Sequence, residues 1–99
     1  MVDRTEEPDV VELTSRLLAP GGYDEGLRRI RDGIRHAETL VAMGADAGAV
    51  ENALRLPHEI DRSIVAIFES RHPVPNRILD ALRVERSRID TLKAASLRR

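Results

Sequence analysis

Apolar positions recur at three- and four-residue spacing through most of this chain, and strand-like alternation is absent from it. Val10, Leu13, Leu17 and Leu18 predict a first helix over about 9–19, with Asp9 and Glu12 as a capping pattern and Pro20-Gly21-Gly22 as its stop. Leu27, Ile30, Ile34, Ala37, Leu40 and Val41 form one stripe on a second helix over about 24–43, capped by Asp24 and ended by Gly44. Gly26 and Gly33 inside it suggest close packing against another backbone. Asp46 opens a short third helix with Val50, Ala53 and Leu54 apolar. Arg55-Leu56-Pro57 reads as a turn into a fourth helix that runs to about Ser70, with Ile60, Ile64, Ile67 and Phe68 inward. His72-Pro73-Val74-Pro75 breaks the pattern. A last helix extends from about Pro75 or Asn76 to Leu97, with Ile78, Leu82, Ile89 and Leu92 on its apolar face and Glu85 interrupting it. The expected fold is all-α, a compact five-helix bundle over 9–99, behind an acidic flexible tail over 1–8.

The 99 residues suit one domain or one subunit of a small oligomer. With 2% aromatic residues, namely Tyr23 and Phe68, the core must be aliphatic and a base-stacking platform is not available. There is no cysteine, which removes disulfides and thiol chemistry and suits a cytoplasmic setting. No run is long and apolar enough to span a membrane, and the acidic start does not resemble a secretion signal. Net charge is −1, but residues 1–54 hold 6 basic and 11 acidic groups while residues 55–99 hold 10 and 6. Such asymmetry fits a basic face in the second half, although affinity for nucleic acid grows with the number of phosphates neutralised.

Enzyme chemistry has few candidates. His58-Glu59-Ile60-Asp61-Arg62 begins like a zinc-protease helix, but Arg62 stands where the second histidine is needed. His36, His58 and His72 lack metal-site spacing, and neither a phosphate loop nor a nucleophile elbow occurs. No catalytic residue, metal or cofactor is expected.

A short helix, a three-residue turn and a second helix, as read over Asp46 to Ser70, are the elements of a helix-turn-helix. The phrase Arg71-His72-Pro73-Val74-Pro75-Asn76-Arg77-Ile78-Leu79-Asp80-Ala81-Leu82-Arg83-Val84-Glu85-Arg86 follows it. Over about residues 46–86 the chain resembles the Cro/repressor-type helix-turn-helix proteins of phages and mobile elements. In that family a similar Pro-Val-Pro phrase follows the recognition helix. The resemblance implies a small regulator that binds operator DNA as a two-fold dimer. It would place His58, Arg62 and Ser63 at base edges, and Arg55, Arg71 and Arg77 on phosphates. The chain departs from the family pattern at Arg55, Ser70 and Arg83, where glycine is usual. It also carries Glu59 and Asp61 at the start of the would-be recognition helix, which is about one turn longer than usual.

The stripe Ile78, Leu82, Ile89 and Leu92 suits packing either on the chain's own domain or on a second copy, which would make a homodimer. A second class of function follows from the same features. The chain could be a helical interaction module that sequesters a protein partner, with the acidic positions Asp24, Glu25 and Asp32 as the contact.

Overall fold

The computed structural model describes residues 6–97, with side chains from Glu12 onward, and holds five helices. They are α1 (Glu6–Leu18), α2 (Gly22–Ala42), α3 (Ala47–Ala53), α4 (Arg55–Glu69) and α5 (Asn76–Leu97). The all-α five-helix reading holds. α1 begins three residues before the expected Asp9; the rest of the expected tail, residues 1–5, lies outside the described residues.

α2 is the central element and packs on each of the other four helices. Its buried face, Leu27, Ile30, Ile34 and Ala37, meets Leu17 of α1, Val50 and Leu54 around α3, Ile60, Ile64 and Ile67 of α4, and Ile78, Leu82, Ile89 and Leu92 of α5 in one aliphatic core. Gly33 marks a close approach to α4. A Cβ there would lie 2.5 Å from Cγ of Pro57, so the missing side chain lets the proline ring sit on α2.

Two helices end alike. After α2 the N–H of Ala45 donates to Leu40 O at 2.9 Å, with Gly44 left-handed at φ 82°. After α4 the N–H of His72 donates to Ile67 O at 3.2 Å, with Arg71 left-handed at φ 72°. Both are Schellman closures, which satisfy carbonyls that the helix leaves open. The first uses the expected glycine; the second forces an arginine into a conformation that costs a residue with a Cβ about 1 kcal/mol.

Three expectations are corrected. Asp24 does not cap α2: Gly21 holds the cap position, and the Asp24 carboxylate faces α5 instead. Phe68 points outward and is 49% exposed, because Ile64 and Ile67 already fill the inward arc of α4. The turn Arg55-Leu56-Pro57 does not form. Only Leu54 separates α3 from α4, at φ −90° and ψ 0°, and it remains right-handed. Its N–H donates to Val50 O at 3.1 Å and its carbonyl accepts from His58 N–H at 3.0 Å, so hydrogen bonding runs almost unbroken across the joint. Pro57 falls in the first turn of α4, where a missing N–H costs no helical bond. With Arg55 in place of glycine, nothing favours a left-handed turn residue there.

Candidate nucleic-acid interface

The joint at Leu54 sets the geometry of the site. α3 leans on α5 and α4 runs on between α1 and α2, which leaves a cleft of about 370 Å³ where the end of α3, the first two turns of α4 and the last turns of α5 meet. Arg55, His58 and Arg62, three of the six residues expected to touch DNA, line this cleft together. Their spacing of three and four residues places them on one face of α4. Lys93 of α5 joins them, with Glu51 and Glu59 at the same walls. Lys93 carries no local signal in the sequence, since only the fold brings α5 to this corner.

The other three expected residues lie elsewhere. Ser63 is half-buried in a separate groove with Thr14, Leu18, Ala66 and Ile67, between α1 and α4. Arg71 sits past the far end of α4. Arg77 is held by Asp24 in a two-pronged pair, Nη1 to Oδ1 at 2.6 Å and Nη2 to Oδ2 at 3.0 Å. That pair holds the Asp24 carboxyl below its usual range, chiefly through the hydrogen bond from Arg77. Arg77 therefore ties α5 to α2 rather than waiting for phosphate.

The same use of arginine recurs along the α2–α5 seam. Glu85, which interrupted the apolar stripe, is 4% exposed. It accepts from Arg31 Nε at 3.0 Å and from Arg88 Nη1 at 2.9 Å, while Arg88 Nη2 also donates to Glu38 at 3.1 Å. Arg86 makes a two-pronged pair with Asp61 of α4 at 2.8 and 2.7 Å. That pair turns Asp61, one of the two awkward carboxylates of α4, away from solvent. The stripe Ile78, Leu82, Ile89 and Leu92 is buried in this domain, each residue at most 8% exposed. It packs inward on the chain's own domain, where those side chains are covered by α2 and its neighbours.

Five described cations remain without an ion pair among the described residues: Arg29, Arg55, Arg62, Arg71 and Lys93. All five border α4. Arg55, Arg62 and Lys93 line the cleft, Arg71 follows the last turn, and Arg29 lines a shallow groove with Leu56 and Pro57 at the first turn. Glu59 and Glu69 on α4 are likewise unpaired among the described residues, so the face is mixed rather than purely basic. The acidic positions of the rival reading are occupied: Asp24 by Arg77, Glu25 by Arg28 and Asp32 by Arg35.

His58 is the chemically distinctive member of the cleft. Its Nε2 is buried without a hydrogen-bond partner. Burial, followed by the nearby charge of Lys93, lowers its proton affinity below that of an ordinary histidine. Among the described residues no group of three or more metal-binding side chains comes together, and no helix is long and apolar enough to cross a membrane. Comparison with family models, curated proteins and solved structures finds no match.

Proposed function

We propose that this chain is a small DNA-binding regulator that docks duplex DNA along α4 and acts without catalysis. The observation that carries this reading is the placement of the unpaired cations. Of the described arginines only Arg29, Arg55, Arg62 and Arg71, all beside α4, have no carboxylate partner among the described residues, and unneutralised guanidinium and ammonium groups are what a phosphate backbone requires. Arg71 adds to it. An arginine kept where glycine would relieve backbone strain is accounted for if its charge is used.

The docking differs from that of the family the sequence resembles. There, a separate recognition helix enters the major groove after a left-handed turn. Here the single-residue joint keeps α3 attached to the start of α4, so the cleft and both ends of α4 would meet the backbone, with Arg55 and Arg62 leading. Any two-fold arrangement on a palindromic operator would have to use a surface other than the α5 stripe.

A second reading is favoured by one observation. Leu18, about half exposed, lines the groove between α1 and α4 with Ala66 and Ile67, and a partner helix could cover it. Fluorescence titration separates the two. Labelled duplexes, one random and one from upstream of the chain's own gene, are expected to bind at about 50 mM salt and to weaken steeply by about 200 mM, with preference for the upstream sequence. Absence of binding to either duplex at the lower salt would remove DNA docking as the function and leave the groove reading.

A further inference from the structure

The cleft has a property that docking along a duplex does not require: it is concave, and it gathers Arg55, Arg62 and Lys93 beside a half-buried histidine, His58. We propose that this cleft is a site for a single phosphate group, held by Arg55, Arg62 and Lys93 and bound together with one proton taken up from solvent onto His58.

A buried polar atom without a partner is uncommon in a folded protein. His58 Nε2 is such an atom. Neutral imidazole offers one donor and one acceptor; imidazolium offers two donors. His58, which lines the cleft, therefore gains a second ring donor when it is charged.

Charges on every side of the ring favour this coupling. From α3 it faces Glu51; from α4 it faces Arg55, Glu59, Asp61 and Arg62; from α5 it faces Lys93. Asp61 is already committed to Arg86. Without ligand, Lys93 and Arg62 oppose protonation of His58, and burial opposes it more strongly. A phosphate among these cations reverses the balance, since its negative charge screens Lys93 and Arg62 and favours imidazolium. Binding and protonation then reinforce one another, as linkage requires. Glu51 and Glu59 limit how much negative charge the cleft tolerates. They fit one phosphate with a hydroxyl or amine beside it better than a run of phosphates.

The phosphate could belong to a small monoester or to a nucleic-acid backbone. The chemistry is the same, and the source is decided by competition. The inference does not depend on the DNA reading, since its first arm uses no DNA.

The test follows the ring proton signals of His58 by NMR in the full chain, with inorganic phosphate as probe and sodium chloride at matched ionic strength as control. His58→Gln assigns the signals. Phosphate at up to roughly 10 mM should shift them in a saturable way, raise the pH midpoint of His58, and bind more weakly above neutral pH. His36 and His72, both exposed, should not follow. Arg55→Ala and Arg62→Ala, both at exposed positions, should each weaken phosphate binding about tenfold, the loss of one charge-assisted contact. A duplex without terminal phosphates is then added. Displacement of phosphate by the duplex would assign the site to the backbone; persistence of phosphate would assign it to a free monoester. A His58 midpoint that does not move with phosphate, or that moves equally with chloride, would overturn the proposal. So would a shift that survives both arginine substitutions.

Discussion

Arg31 and Arg62 are the same residue on two helices that pack together, and the fold uses them in opposite ways. Arg31 reaches into the α2–α5 seam and is consumed by the buried carboxylate of Glu85. Arg62 stands on α4 and meets no carboxylate among the described residues. The contrast extends to whole regions. In the seam, Arg77 and Arg88 join Arg31 in fixing α5 to α2, and Arg86 likewise fixes α5 to α4. Around α4, Arg29, Arg55, Arg62 and Arg71 fix nothing. In a chain whose basic residues are nearly all arginine, residue type says little about role; the partner across the fold says most of it. Substitutions in the seam should therefore change stability and leave binding alone, whereas removing an arginine's charge around α4 should weaken binding.

The largest effect expected is from Glu85→Ala. It leaves Arg31 without its carboxylate and Arg88 with Glu38 alone, and although both arginines are partly solvated and screened, a loss of about 2 kcal/mol in denaturant unfolding is expected from removing the buried carboxylate and its two charge-assisted bonds. Unchanged stability would mean the seam is not held by its ion pairs. Next is Gly33→Ala. Helix propensity alone would make it stabilising, but the added methyl meets the Pro57 ring at 2.5 Å. A net loss of about 1 kcal/mol is expected, read in the same way.

Arg71→Gly tests the other region and should move two readouts in opposite directions. Relief of the left-handed strain should stabilise the fold by about 0.5–1 kcal/mol, while DNA affinity falls through the lost charge. Stabilisation with unchanged affinity would make Arg71 a passive cap. The smallest effect expected is a pH slope. His58 holds a proton less readily folded than unfolded. As pH falls through about 6.5 the unfolded chain gains the proton first, so stability that is fully present above that pH declines below it. His58→Gln should flatten the slope between about pH 7.5 and 5.5, measured by denaturant midpoint. Asp24, whose carboxyl is held low by Arg77, contributes in a separate window, above the ordinary carboxylate range and lost only in stronger acid.

The helices were legible because their signals are local. Gly44 and the prolines around Val74 stop helices where a chain of any tertiary structure would stop, and the Leu27-to-Ala37 stripe needs only its own spacing to be seen. The joint at Leu54 was harder. Pro57 signals a helix start, and its ring on Gly33 is visible only once α2 is placed. Glu85 looked like a break in an apolar stripe; it is the anchor of the seam, and its partner Arg31 lies 54 residues away in the chain. Half of the candidate site was legible for the same reason: Arg55, His58 and Arg62 share a helix face. Lys93 and the loss of Arg77 to Asp24, 53 residues distant, depend on how α5 lies across the bundle, and periodicity contains none of that.

The most direct test of the division between the two regions is the salt dependence of duplex binding for three chains: wild type, Arg55→Ala with Arg62→Ala, and Arg77→Ala. If α4 holds the DNA, the double variant should lose affinity at low salt and its slope of log affinity against log salt should fall by about 2, one counterion per lost contact, while Arg77→Ala keeps the wild-type slope. An unchanged slope in the double variant, or an equal drop in Arg77→Ala, would contradict the account.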